Sequence, residues 1–228
     1  MRGELRAICF DLDNTFWDAW PVLERAEQCL QDWLLANMPR LAARYPLAAQ
    51  RDQRLQLARA NPRHAHDVTW LRSESLRRLA VECGYGADLA AAAFAVFLAE
   101  RQRVEIYTDV HLALPRLHGR MRLATLTNGN ADLEAIGLAG YFEQVLTARD
   151  VGAAKPDAEA FLAAANRLGI EPARIAYVGD EPMVDVVGAR AAGMRAVWIN
   201  RLDKRWPEEL VPPDLQVRDL DELADLLL

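Results

Sequence analysis

Little in this chain invites an extracellular, membrane-spanning or nucleic-acid-binding reading. Its 228 residues include three cysteines, Cys9, Cys29 and Cys83. That odd number, with no Cys-x-x-Cys and no zinc-ligand spacing, excludes a disulfide framework and a structural zinc site. Cys9 lies in an apolar run and reads as a buried, inert thiol. The longest apolar run, Leu89–Ala99, has 11 residues, far short of the roughly 20 needed to cross a bilayer. At the start, MRGELRAICFDLD lacks the apolar segment of a signal peptide, because Glu4 and Arg6 interrupt it and Asp11 comes at once. A soluble, cytoplasmic protein with no membrane partner is expected. Positive charge is not in excess: the net charge is −6 and the pI about 5.3, which argues against nonspecific binding to nucleic acid or anionic membranes. Residues 16–106 carry twelve arginines, no lysine and eleven acids. They are therefore nearly balanced, and no basic stripe with interleaved aromatics appears. Internal repeats and low-complexity segments are also missing.

The composition is globular, 52% hydrophobic and 26% charged. The length exceeds one typical domain and falls short of two. Ala7-Ile8-Cys9-Phe10 is a short apolar run ending directly in Asp-Leu-Asp-Asn-Thr, the pattern of a buried strand that gives way to a polar loop. From Pro21 to about Arg103 the periodicity is helical, and four helices are predicted, near 21–37, 48–60, 67–83 and 87–104, with turns at Pro39, Pro62 and Gly84–Gly86. After Tyr107 strands and helices alternate. Strands are predicted at 122–127, 144–146, 174–178 and 196–199, and helices at 131–138, 157–168, 184–192 and 219–228, with Gly169 and Gly193 as helix stops. The expected fold class is α/β: a Rossmann-like parallel sheet core built from 1–15 and 107–228, with an all-helical domain inserted over 16–106.

Ligands of an open parallel sheet bind beyond the carboxyl ends of its strands, so the residues just after each strand carry the functional reading. After the first strand stand Asp11, Asp13, Asn14 and Thr15. After the second come Thr127, Asn128 and Gly129; after 174–178 come Gly179, Asp180, Glu181 and then Asp185. Lys155 and Pro156 precede the 157–168 helix. Each segment alone has an ordinary structural explanation as an Asx turn, a helix cap or a Pro–Asp helix start. Their shared position after successive strands decides for function. Clustered carboxylates repel unless a cation sits among them, and oxygen ligands without His or Cys select a hard ion such as Mg²⁺. With Lys155, Thr127 and loop N–H groups available to hold phosphoryl oxygens, the expected chemistry is phosphoryl transfer.

Phe10-Asp-Leu-Asp-Asn-Thr15, Thr127-Asn-Gly, Lys155-Pro-Asp and Gly179-Asp-Glu-Pro-Met-Val-Asp185 resemble the four ordered motifs of the haloacid dehalogenase (HAD) superfamily, and Gly188–Met194 is similar to the helix after its fourth motif. The insertion between the first two motifs is similar to that family's helical cap. The resemblance implies that Asp11 is the nucleophile that becomes an aspartyl-phosphate and that Asp13 is the general acid and base. It further implies Mg²⁺ on the Asp11 carboxylate, the Asp13 main-chain carbonyl and Asp180, oriented by Asp185. Thr127 and the Asn128 main chain would bind phosphate, and Lys155 would neutralise it. Dehalogenases of the superfamily need neither a second aspartate nor a metal, so Asp13 and the acidic fourth motif favour a phosphatase. A phosphomutase or a catalytically silent binder of a phosphorylated ligand are the alternatives on the same motifs.

In the inserted domain, Trp17 and Trp20 read first as hinge and core packing, and His64 and His66 as solvent-facing or structural. The His66-Asp-Val-Thr69 segment with Arg72, and Thr127–Asn130, are similar to a bacterial flavin-pathway branch of the family. That branch acts on 5-amino-6-(5-phospho-D-ribitylamino)uracil, on the route to riboflavin, and also hydrolyses FMN. Arg72 and an aromatic ring suit a uracil or isoalloxazine. The expected partner is thus a small phosphorylated metabolite, with a nucleoside monophosphate or a sugar phosphate such as phosphoglycolate as alternatives.

Overall fold

The computed structural model describes residues 5–228 and divides into two compact units, Met1–Asp18 with Glu105–Leu228, and Ala19–Val104.

The first unit is built on a sheet of six strands, β1 (Ala7–Phe10), β2 (Arg122–Thr127), β3 (Gln144–Thr147), β4 (Ile175–Gly179), β5 (Arg195–Ile199) and β6 (Leu215–Val217). All pairings are parallel, in the spatial order β3-β2-β1-β4-β5-β6. Every residue of β1 and β4 is buried, which is why both read as unbroken apolar runs rather than as alternating ones. The chain runs outward on one side of β1 through β2 and β3, and on the other through β4, β5 and β6. The loops leaving β1 and β4 therefore part from each other, opening the crevice where open α/β sheets take ligands.

The helices of this unit match the sequence pattern in place more than in length. Ala158–Leu168 buries Ala160, Phe161, Ala164, Ala165 and Leu168 against the sheet, is capped by Asp157 and ends at Gly169, whose φ of +64° suits a residue without Cβ. The closing helix spans Leu220–Leu227 with Asp219 as its cap. The helix expected over 131–138 shortens to Leu133–Ile136 because Asp132 caps it and Gly137 stops it. The helix expected from 184 starts instead as a π-helical stretch at Pro182–Val187, and only Gly188–Ala191 is α-helical. Thr108–Leu117 is a helix absent from the pattern reading. Its amphipathic face buries Val110, Ala113, Leu114 and Leu117, and Pro115 sits in its last turn. Strand β6 is absent from it too; three residues are too few to register a period.

The second unit is wholly helical among the described residues, with helices at Ala19–Asn37, Pro39–Arg44, Leu47–Ala60, Val68–Glu82 and Ala87–Arg101. Pro39 does not simply turn the chain: it starts the second of these, where its missing N–H costs nothing. Ala26, Leu30 and Leu34, one helical face, join Leu76, Leu79, Ala90, Ala93 and Phe97 in a core of their own. A polar layer crosses this unit. Glu27 accepts from Arg54 at 3.1 Å and from Arg72 at 2.7 Å, and the Arg72 guanidinium lies 3.6 Å from the centre of the Phe97 ring.

Candidate active site

Four loops converge beyond the carboxyl ends of β1, β2 and β4. Lys155 lies at their centre, with 2% of its side chain exposed. Its Nζ donates to Asp11 Oδ1 and to Asp185 Oδ1, both at 2.7 Å, and stands 5.3 Å from the centre of the Tyr177 ring. Asn128 fixes the lysine from behind. Its side chain donates to the Lys155 carbonyl and accepts the Lys155 N–H, each at 2.8 Å, so the amide holds the lysine's main chain at both ends. The peptide between Lys155 and Pro156 is cis.

The other oxygens are disposed unequally. Asp185 Oδ2 accepts the Glu181 N–H at 2.9 Å, so both oxygens of that buried carboxylate are engaged. Gly179 makes this possible, since a Cβ there would lie 2.4 Å from Asp185 Cγ. Asp11 uses one oxygen on Lys155 and leaves the second uncommitted among the described residues. Asp180 is held through its main chain, whose carbonyl accepts the Trp198 indole N–H at 2.8 Å. Ligand oxygens of Asp11, Asp180 and Asp185 all lie within 4.8 Å of one another. Thr127 is buried and its hydroxyl accepts the Gly129 N–H at 3.0 Å, bending the loop after β2 toward this group.

One ammonium shared by two buried carboxylates cannot satisfy three acids. Burial pushes Asp11 up to about 8, with Lys155 only partly offsetting it. Burial and the neighbouring Asp185 push Asp180 to about 7. Lys155 is held above the ordinary lysine range by the two carboxylates, despite burial that acts the other way. This donor set fits a divalent cation: it is all oxygen, short of positive charge, and retains free carboxylate oxygens.

Stability in the presence of a chelator should therefore depend on pH. The pKa values of Asp11 and Asp180 in the folded state lie above the ordinary aspartate value of 3.8. Between pH ~4 and ~8 the folded protein binds protons that the unfolded chain has released, and stability falls as pH rises. A hard cation competes with those protons, so Mg²⁺ should raise Tm more at pH 8 than at pH 6. Thermal melts with EDTA or Mg²⁺ at the two pH values check this; an equal or larger rise at pH 6 would refute it.

Most residues expected from the sequence arrive in this crevice, but their partners differ in part. The Asp13 carboxylate is turned to Trp17, accepting its indole N–H at 2.8 Å, and stands outside the three-acid group. The Asn128 side chain serves Lys155. Trp17 is fully buried, as packing requires, whereas Trp20 is 70% exposed and no core residue. His64 stacks on Trp70 with ring centres 4.3 Å apart. Arg72, expected to meet a substrate ring, is committed to Glu27 and Phe97.

Arg201 is absent from the residues expected on sequence grounds. It donates to the Thr15 carbonyl at 2.8 and 3.1 Å and to both oxygens of Asp109 at 2.8 and 3.0 Å, and it lies over the Tyr107 ring at 4.1 Å. Asp109 also accepts the Leu220 N–H. Arg201 thereby ties the loop after Asp13 to the segment that re-enters this unit at Glu105. Its signal in the sequence is its place two residues past the end of β5, beyond a strand's carboxyl end as Asp11 is after β1 and Asp180 after β4.

A profile of haloacid dehalogenase-like hydrolases matches residues 5–193, and the chain belongs to that family. Among its relatives is the 5-amino-6-(5-phospho-D-ribitylamino)uracil phosphatase YigB of Escherichia coli, 34% identical over 99% of this chain and 97% of that protein. The phosphoserine phosphatase of Thermus thermophilus is 39% identical over 67% of this chain and 63% of its own length. Among solved structures, a 2-haloacid dehalogenase from Pseudomonas syringae pv. tomato superposes with a TM-score of 0.92 at 36% identity, covering 98% of both chains. No described helix is long and apolar enough to cross a membrane.

Proposed function

We propose that this hydrolase is a Mg²⁺-dependent phosphomonoester phosphatase working through an aspartyl-phosphate on Asp11. Its substrate is a small phosphorylated metabolite, with 5-amino-6-(5-phospho-D-ribitylamino)uracil first in line and FMN second. The observation that carries the reading is the group of Asp11, Asp180 and Asp185 oxygens within 4.8 Å around a single shared lysine. Such a group has little use in chemistry that needs no cation. The full-length relation to a ribitylaminouracil phosphatase supports the choice of substrate.

Asp11, Asp180 and the Asp13 main chain would hold Mg²⁺, which supplies charge neutralisation for the transferred phosphoryl group. The uncommitted Asp11 oxygen attacks phosphorus, and the bond to the leaving oxygen breaks. Asp13, oriented by Trp17, acts as the general acid and gives a proton to that oxygen so that the alcohol departs neutral. The resulting Asp13 carboxylate then takes a proton from water, whose oxygen attacks the aspartyl-phosphate and releases inorganic phosphate with Asp11 restored. Lys155 holds Asp11 in place and, together with the cation, would keep it ionised. Thr127 and the Asn128 main chain donate to the phosphoryl oxygens, stabilisation that is preorganised because Asn128 and Asp185 lock Lys155 beforehand. The helical unit acts as the cap, over 16–106.

The dehalogenase among the structural relatives favours a second reading, hydrolysis of a 2-haloacid by the same Asp11. One experiment separates the two. Phosphate release is measured from 5-amino-6-(5-phospho-D-ribitylamino)uracil, FMN, nucleoside monophosphates, phosphoglycolate, phosphoserine and phenyl phosphate, with Mg²⁺ or EDTA, beside chloride release from 2-chloropropionate. Mg²⁺-dependent phosphate release with the ribityl compounds ranked highest is expected. Chloride release indifferent to EDTA, without phosphate release, would replace this reading by the second.

A further inference from the structure

Beside Asp180, and within the same α/β unit, lies a chamber of about 170 Å³ that the chemistry above does not use. That is roughly five water volumes, room for part of a leaving group but not for a whole nucleotide. Asn14 and Asp18 line it from the loop after β1, Tyr107 from the re-entering segment, and Leu202 and Lys204 from the loop after β5; all but Tyr107 are exposed and form its open side. Asp180 forms part of the wall, so whatever fills the chamber is next to the acid cluster.

Lys204 distinguishes this chamber. The chain has 27 basic residues other than histidine, yet its only lysines are Lys155 and Lys204. Both are mounted the same way. Asn200, just after β5, donates to the Lys204 carbonyl at 2.8 Å and accepts its N–H at 2.9 Å, as Asn128, just after β2, does for Lys155. Arg201, the other cation on the wall, is spent on Asp109 and the Thr15 carbonyl. Lys204 has no ion-pair partner among the described residues, although its charge is felt by Asp180.

The lining selects the ligand by its hydrogen-bonding pattern. A second anion would face Asp18 and Asp180. A hydrocarbon would cover the partly buried Asp180 carboxylate without offering it a donor. Hydroxyl groups satisfy both kinds of wall, because each donates to a carboxylate and accepts from an ammonium. We propose that this chamber is the leaving-group subsite, with Lys204 the specificity-determining residue that donates to a polyhydroxylated, alditol-like chain. The proposal rests on the phosphatase reading and adds which part of the substrate is recognised, and by what.

Two lysines make the test direct. Protein carrying Asp11→Asn, to stop turnover, is labelled with ¹³C-lysine, and the two side-chain signals are assigned with Lys204→Met. In Mg²⁺, ribitol 5-phosphate should shift both signals, and inorganic phosphate that of Lys155 alone. A Lys204 signal that stays in place with ribitol 5-phosphate, or moves as far with inorganic phosphate, overturns the proposal while leaving the phosphatase reading standing. If neither signal answers any phosphate ligand, the phosphatase reading fails and the subsite falls with it. In turnover by the Asp11 enzyme, Lys204→Met should lower kcat/KM for ribitol 5-phosphate about tenfold more than for phenyl phosphate, the cost of one hydrogen bond from a charged donor. Equal losses on the two substrates would place Lys204 in the service of the acid cluster instead.

Discussion

Asp11→Asn is expected to reduce phosphate release by at least about 10³-fold while leaving the fold intact. The amide cannot carry a phosphoryl group, which accounts for the loss. The intact fold has a separate cause. In the absence of a cation Asp11 is raised to about 8, so near neutral pH the folded protein already holds this group mostly uncharged, and an amide is close to that state in shape and charge. Lys155 keeps Asp185 as its partner at 2.7 Å. Steady-state kinetics beside a thermal melt would show near-zero turnover with a Tm close to wild type. Turnover at the wild-type rate would remove Asp11 from the role of nucleophile.

Lys155→Met should be costly in both respects. It strips the common cation from Asp11 and Asp185, whose side chains are only 10% and 1% exposed. Breaking such a buried group by removing one partner costs about 3–5 kcal/mol. That cost depends on pH. Asp11, already raised by burial, escapes it by taking up a proton that the unfolded chain does not hold above pH ~4, so the folded variant regains stability as pH falls. Denaturant midpoints in EDTA should differ widely between variant and wild type at pH 8 and much less at pH 5. Turnover should fall by about 10²-fold or more, since the charge facing the phosphoryl group is lost with the side chain. A midpoint difference equal at both pH values would mean that the lysine packs but does not neutralise.

The make-up of the candidate site is legible because its pieces are local in sequence. Ala7–Phe10 is a fully buried strand and shows as a bare apolar run, so Asp11 and Asp13 behind it stand out as the first polar residues at a strand end. The same contrast marks Thr127 and Asn128 after β2 and Asp180 after β4. Asp157 and Gly169 bracket their helix by capping rules that act within a few residues. Elements whose signal is weak at that range escape the reading: β6 is too short for a period, and the π-helical stretch that starts at Pro182 breaks the 3.6-residue spacing on which a helix over 184–192 is predicted.

Which groups touch depends on other things. Lys155 meets Asp11 across 144 residues because β1 lies between β2 and β4 and the loops after those strands open at one edge. Arg201 meets Thr15 across 186 residues for the same reason. Nothing near Arg72 announces that Glu27, on another helix, will claim it; nor does anything near Asn200 announce that its amide will mount Lys204 at the edge of a chamber beside Asp180. The family, the parallel α/β class and the carboxylates placed after the strands, with the lysine ahead of its helix, are set by the order of amino acids alone, because strand burial, turn formation and helix capping depend on neighbours in the chain. The pairing of those residues, the sharing of one ammonium between two carboxylates and the chamber beside Asp180 emerge with the folded sheet, because they depend on strand order and on distances between segments the chain keeps far apart.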